Sequence, residues 1–268
     1  MKNKNPNSLG NRVKIKMGLE TPKERKKRVA REKKENAKAI QYFKELHEKK
    51  EPLQSKNIVI PIDWMKKEFY KTAKIYILKE KKRFVVDDDN RIILDIICRY
   101  FANDPSFEEI VENGELRKGL MLISNCGTGK SSIFDIIQHI GRKYNIPQLW
   151  FGHVSSHTVA TEFTKQNKIS SGESVIDYYT KGKVCFDDLG SENMVNDYGI
   201  KKELMREVLE LRYNRFKTLG TKTFCSTNHT IDELVAKYDK GSKPGHKRIE
   251  DRIYGMFNIL PMYGKCRR

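Results

Sequence analysis

No stretch of the 268 residues approaches the run of roughly 18 apolar residues that a membrane-spanning helix needs. The N-terminus, MKNKNPNSLGNRVKIKMG, is charged and has behind it no apolar segment of the kind that directs secretion. Cysteine is scarce and scattered. Cys98, Cys126, Cys185, Cys225 and Cys266 are odd in number and form no CxxC pair, so neither a disulfide framework nor a zinc site is indicated. His139, His153, His157, His229 and His246 lack metal-ligand spacing and have no cysteine or carboxylate cluster around them. No repeat of solenoid length and no Pro-rich or Gln/Asn-rich tract is present. These absences predict a cytoplasmic protein with no membrane partner and argue against a solenoid.

Acidic residues are what the N-terminal region has least of. Residues 1–50 hold 17 Lys/Arg against 6 Glu and no Asp, a balance of +11 out of the chain's +18. A concentrated cationic segment attracts polyanions by releasing their counterions, which gives weak, sequence-independent affinity for nucleic acid, and an acidic protein surface attracts it equally. Residues 1–20 show no sustained period and are expected to be disordered. From Thr21-Pro22 to Glu51-Pro52 the sequence is rich in helix formers, with Ile40, Phe43 and Leu46 as its clustered apolar positions.

Residues 1–56 are therefore predicted to form a basic disordered and helical arm, and 57–118 a helical linker or N-terminal subdomain. In the latter, NIVIP reads as a short strand, Ile62 to Leu78 as a helix and Asn90 to Phe101 as a largely buried helix, with no catalytic pattern among them. From Gly119 the grammar changes. Short apolar segments (GLMLI, QLWF, KVCF, TKTFC, FNIL) alternate with helical stretches, the signature of parallel strands joined by βαβ crossovers. An α/β core over 119–268, with a mainly parallel sheet between helices, follows. Trp64 and Trp150 read as packing residues.

The strand GLMLI is followed by Ser124-Asn125-Cys126-Gly127-Thr128-Gly129-Lys130-Ser131 and then the helix SSIFDIIQHIGRK. This is the context of a phosphate-binding P-loop, the Walker A element. Gly127 and Gly129 let the backbone wrap close to an anion, so that the N–H groups of Asn125 to Ser132 (Asn125, Cys126, Gly127, Thr128, Gly129, Lys130, Ser131 and Ser132) and the positive helix end face it. Lys130 is expected to reach the β- and γ-phosphates of ATP, and the Ser131 hydroxyl to ligate Mg2+. Ser124 stands where GxxxxGK[ST] has glycine and would disfavour any positive φ the turn needs.

A second motif, Lys183-Val184-Cys185-Phe186-Asp187-Asp188, ends an apolar strand in paired carboxylates, as a Walker B element does. Asp187 is expected to hold Mg2+ and Asp188 to activate the water that attacks the γ-phosphate. An Asp pair by itself is an ordinary turn or helix cap; the upstream P-loop decides against that here. Thr223 to Asn228 form another strand with a polar end, where Asn228 either senses the γ-phosphate or caps the helix IDELVAKY.

Taken together, CGTGKS, FDDLGSEN, LRYNRF, CSTNHTIDEL and RIEDRIYG, in that order over about residues 119–268, resemble the DnaC/IstB family of AAA+ ATPases. The guanine-reading NKxD of GTPases is absent. The resemblance implies a P-loop AAA+ core without a C-terminal lid domain, with Asn228 at the sensor 1 position. It also implies Arg252 as an arginine finger reaching a neighbouring subunit's γ-phosphate, hence a homo-oligomer with active sites at subunit interfaces; Arg248 is the alternative finger. The closing GKCRR is similar to the family's GxSxR, which implicates Arg267, with Cys266 in place of serine. Lys237 to Lys247 form a basic, glycine-containing segment suited to phosphate contacts or to a solvated loop. The implied function is ATP-dependent loading of a replicative helicase on single-stranded DNA. An IstB-type helper of a transposase on duplex DNA and a nucleotide-switched nucleic-acid adaptor are the alternatives.

Overall fold

The computed structural model describes residues 21–48, 58–79, 81–125, 127–165, 173–240, 248–264 and 266. The chain divides into two compact units, Met1–Ser55 and Lys56–Arg268. The first holds α1 (Pro22–Glu48). Its start is fixed locally: Thr21 Oγ1 accepts from the Glu24 amide at 3.4 Å while the Glu24 carboxylate accepts from the Thr21 amide at 3.0 Å, with Pro22 in the first helical position. The described side chains of α1 are mostly exposed. The segment expected to be disordered, 1–20, and the side chains of Ile40, Phe43 and Leu46 lie outside the described residues.

In the second unit, α2 (Ile62–Leu78), α3 (Asp88–Ala102) and the short α4 (Ser106–Ile110) precede the sheet. Asp87 and Asn90 cap α3 reciprocally, and Asn103 ends it in the left-handed conformation. Then follow β1 (Gly119–Ile123), α5 (Lys130–Lys143), β2 (Gly152–Ser155), α6 (Ser156–Thr164), α7 (Val175–Thr180) and β3 (Val184–Asp187). A hairpin of β4 (Val195–Asp197) and β5 (Ile200–Lys202) leads to α8 (Leu204–Leu219), β6 (Thr223–Thr227), α9 (Ile231–Tyr238), α10 (Arg248–Met256) and β7 (Phe257–Pro261).

The main sheet is five-stranded, in the order β2-β3-β6-β1-β7, and every pairing is parallel. The architecture is thus α/β with helices on both faces, which is why the strands read as near-continuous apolar runs. Side chains alternate between two cores. Leu120, Leu122, Cys185 and Phe224 join the core built with α2, α3 and α5, where Phe69, Ile97, Phe134 and Ile137 are buried. Met121, Val184, Phe186 and Cys225 join the opposite core with Val159, Leu204, Val208 and Ile253. Each fully buried Leu, Ile or Phe contributes roughly 1.5–3 kcal/mol relative to exposure.

Arg212, in LRYNRF, is fully buried without a carboxylate. Its guanidinium donates to Thr223 Oγ1 (2.7 Å) and to the carbonyls of Tyr179 (2.7 Å), Gly182 (2.8 Å) and Lys222 (2.9 Å). Burial pushes its pKa down to about 10, which still leaves it charged near neutrality. It ties α8 to the chain entering β3 and β6, a structural role for that motif.

The fold differs from the sequence expectation in three places. QLWF is not a strand: Pro147 opens one 3-10 turn over Pro147–Leu149, and β2 starts only at Gly152. Among the described residues, 58–61 of NIVIP pair with no strand: the Ile58 amide and carbonyl are satisfied by the Gln148 side chain at 2.8 and 2.9 Å, and the Ile60 amide by the Ala102 carbonyl. The β4–β5 hairpin was not anticipated.

Candidate nucleotide site

The sheet order places β6 between β1 and β3, so the loop after β1, the carboxylates after β3 and the polar end of β6 meet at one edge. Ser124 to Gly129 span the turn from β1 to α5. Gly127 and Gly129 take φ of 84° and 95°, where a side chain is strained, and in front of Gly129 the space is open. Ser124 does not have positive φ, so its replacement of glycine carries no backbone strain. Its hydroxyl lies 2.5 Å from Thr128 Oγ1 and accepts from Lys130 Nζ at 2.7 Å, adding a staple that glycine lacks. Lys130 is buried, and its ammonium also donates to the carbonyls of Ser124 (3.0 Å) and Asn125 (3.2 Å) and to Asn228 Oδ1 (2.8 Å). Cys126 lies outside the described residues.

Asp187 closes β3, and its Oδ1 accepts from Ser131 Oγ at 2.7 Å and from Ser226 Oγ. Asp188 sits in the left-handed region at φ 51°; its amide donates to Ser226 Oγ at 3.0 Å, and its carboxylate accepts from Asn228 Nδ2 at 3.1 Å. Asn228 therefore bridges Lys130 and Asp188 through the two ends of one amide. Thr230, not Asn228, caps α9, accepting from the Glu233 amide at 3.2 Å, which leaves the Asn228 side chain for the site.

The Leu-Gly after the acids has a local cause. The Leu189 amide donates to the Ser226 carbonyl at 2.8 Å, drawing the turn under β6. Gly190 follows at φ 96°, and a Cβ there would sit 2.5 Å from His229 Cδ2. Buried Glu192 accepts from the Gly190 amide at 2.9 Å and from the Tyr238 hydroxyl at 2.7 Å, fastening this turn to α9.

Gly127 to Ser132, with Asp188 and Asn228, form one side of a cavity of about 560 Å³, within the range of small-molecule sites. The other side comes from the helical segment before the sheet: Ile77 at the end of α2, Lys82, Arg83, Phe84 and Val85 in the connection to α3, and Asn90 and Leu94 on α3, with Ile136 and Met262 from the core. Apolar side chains there suit the faces of a base, as the loop suits phosphates. Ser131 and Asp187 offer adjacent hard oxygen donors, which fit Mg2+. Asp135, one turn beyond Ser131 on α5, ties this wall to the cradle. Its carboxylate accepts from the Tyr76 hydroxyl of α2 at 2.8 Å and lies 2.6 Å from His153 Nδ1 of β2.

The chain is similar to several solved structures. They include DnaI (24% identity, TM-score 0.46, covering 69% of this chain and 88% of that one). The DnaC helicase loader is 18% identical with a TM-score of 0.44, over 67% of this chain and 93% of that one. AMPPCP-bound DnaA from Aquifex aeolicus is 15% identical with a TM-score of 0.44, over 69% of this chain and 50% of that one. No family model and no curated protein sequence matches the chain.

The remaining sequence candidates fall elsewhere. Arg252 on α10 does not line the cavity; its guanidinium pairs with Glu210 of α8. Arg248 is exposed at the start of α10. Arg267 and residues 241–247 of the basic segment are outside the described residues, and no described helix is long and apolar enough to cross a membrane. Sequence reasoning missed Ser226, whose only signal was its place at the polar end of a strand beside the acids. It also missed Glu192 as a latch and the whole apolar wall.

Proposed function

We propose that this chain binds ATP with Mg2+ and hydrolyses it to ADP and phosphate. The observation that carries the reading is that Lys130, Ser131, Asp187, Asp188 and Asn228, delivered by the ends of three neighbouring strands, form one hydrogen-bonded cluster, closed through Ser226, at a cavity with apolar side chains on its far wall. The loop amides and the N-terminus of α5 hold the phosphates. Lys130, a flexible stem with three donors, exchanges the Ser124 and Asn125 carbonyls for phosphate oxygens. Asp188 then orients water and takes its proton, and Asn228, relieved of Lys130, positions that water or the γ-phosphate. Ser131 and Asp187 would hold Mg2+, which would supply positive charge against the phosphate oxygens.

At the level of the whole protein, the proposal is a DnaC-type role: ATP-bound subunits assemble on single-stranded DNA and, through the N-terminal unit, engage a replicative helicase. Arg252 serves the neighbouring subunit's site, which requires that its pairing with Glu210 open on assembly. The sequence motifs, the cationic N-terminal region and the absence of Arg252 from its own cavity support this reading. Phosphate release by the wild type, measured alone, with single-stranded DNA and with duplex, tests it. Stimulation by the single strand above the duplex is expected. Equal or greater stimulation by duplex would favour the transposition helper, and absence of both nucleotide binding and turnover would refute the assignment.

A further inference from the structure

The β4–β5 hairpin presents a side chain that nothing in the nucleotide site requires. Tyr198, at its tip, is 99% exposed, and it occupies a left-handed position, φ 49°, followed by Gly199 at φ 88°. Two successive positive φ values define the tight hairpin turn that favours Asn, Asp or Gly; a tyrosine there is strained. The tip is braced. The Gly199 amide donates to Asn196 Oδ1 at 2.9 Å, Lys202 Nζ pairs with Asp197 at 2.7 Å and Glu207 at 2.9 Å while lying over the Phe163 ring, and Val195 is buried. The aromatic ring is thus held out on a rigid support, and strain at a fully exposed aromatic points to a use for it.

Beside the hairpin lies a cleft of about 350 Å³ lined by Met194, Lys201, Arg206, Lys237 and Lys240, together with three glutamates. Those acids are engaged internally: Glu207 with Lys202, Glu210 with Arg252, and Glu203 with Lys237. Lys201 and Lys240 make no close ion pair among the described residues, the Lys240 charge acting only at longer range on Glu203, and both line the cleft. A bare aromatic face at the tip of a hairpin that also carries Lys201, with Lys240 across the adjoining cleft, is the kind of combination that binds a single strand, with a base stacked on the ring and the backbone tracked by the ammonium groups. A duplex keeps its base faces covered and offers only its phosphates.

We propose that Tyr198, with Lys201 and Lys240, forms a contact site for single-stranded nucleic acid outside the nucleotide cavity. This rests on the loader reading for its biological setting but not for its chemistry. The hairpin leaves the turn fastened by Glu192 just after Asp188, so the site is joined covalently and through that latch to the hydrolytic carboxylates.

The test uses the full-length protein, fluorescein-labelled oligo(dT) and fluorescence anisotropy, at low and at raised salt. Tyr198→Asn removes the ring with a residue that tolerates left-handed backbone, and Tyr198→Trp keeps an aromatic face. The expected result is about tenfold weaker oligo(dT) binding for Y198N, near wild-type binding for Y198W, and unchanged basal ATP hydrolysis in both. Raising the salt should weaken all three while leaving the Y198N deficit in place, because stacking releases no counterions. Equal binding by wild type and Y198N overturns the site while leaving the loader reading intact. A wild type that hydrolyses ATP but does not bind oligo(dT) overturns both. An equal Y198N deficit on duplex of the same length, or loss of self-association without loss of oligo(dT) affinity, also overturns it, the latter in favour of a second copy of the chain as occupant.

Discussion

The two sides of the nucleotide cavity are built on different terms. The cradle side is polar, and its functional side chains Lys130, Ser131, Asp187, Asp188, Ser226 and Asn228 are fixed by hydrogen bonds between neighbouring strand ends. The wall side, Ile77, Phe84, Val85 and Leu94, comes from helices and a connection that share an apolar core with α5. Phosphate recognition demands donors and cations at fixed positions, whereas enclosing a base demands little beyond apolar surface of suitable shape. The cradle should therefore govern turnover and the wall affinity for the base.

The largest effects should come from the cradle. Asp188→Asn is expected to lower ATP hydrolysis by about 10²–10⁴-fold, the usual contribution of a general base, while nucleotide affinity stays within a few-fold of wild type. Steady-state phosphate release and titration with a fluorescent ATP analogue read the two quantities separately; an active variant would remove Asp188 from the chemistry. Lys130→Ala is expected to reduce turnover by about a hundredfold or more and to weaken binding as well, since the ammonium contacts phosphate before and during reaction. Unchanged binding of both ATP and tripolyphosphate by this variant would contradict the phosphate role.

On the wall, Phe84→Ala should weaken ATP binding by about tenfold, the scale of one lost apolar contact surface, and leave turnover at saturating ATP nearly unchanged. Tripolyphosphate has no base, so its competition against labelled nucleotide should be the same in wild type and variant. A parallel loss for tripolyphosphate would break the comparison, because it would mean that Phe84 supports the cradle rather than facing the base.

The same contrast explains what could be read from the sequence. Gly127, Gly129, Lys130 and Ser131 are local in the chain, and their chemistry admits few alternative residues, so spacing alone exposed them. Asp187 and Asp188 became legible once the P-loop was found upstream. The wall was not legible, since Ile77 and Leu94 look like any inward-facing residue on an amphipathic helix. Ser226 and Glu192 act through tertiary contacts with Asp187 and Tyr238, and no local pattern marks those. The hairpin was hidden because Tyr198 stands where a hairpin turn normally shows Asn, Asp or Gly. QLWF misled because four residues with apolar members fit a strand, and Pro147 instead begins a 3-10 turn.

The smallest expected effect lies at the seam between the two sides, where Tyr76 of the wall helix α2, Asp135 of α5 and His153 of β2 meet. Burial works against a charged His153, but the hydrogen bond and charge of Asp135, with a further contribution from the Asp187 charge, raise its pKa above the ordinary value. Burial likewise opposes ionised Asp135, and the hydrogen bonds from His153 and Tyr76 outweigh it and lower its pKa. A histidine with a raised folded pKa stabilises the fold fully below its unfolded value of about 6.5, and that contribution is lost as pH rises through the raised folded value. The carboxylate's contribution is present above its unfolded value of about 3.9 and is lost only as pH falls below it. Their pairing is therefore strongest in mildly acidic solution, where both are charged, and is worth about 1 kcal/mol at this partly buried position. His153→Gln should lower the melting temperature most near pH 5–6, with the gap to wild type narrowing as pH rises. Thermal melts of both proteins across that range check it. A gap that is constant or widens with pH would show that His153 acts by packing against Phe134 rather than by its charge. The wall would then be joined to the cradle by shape alone.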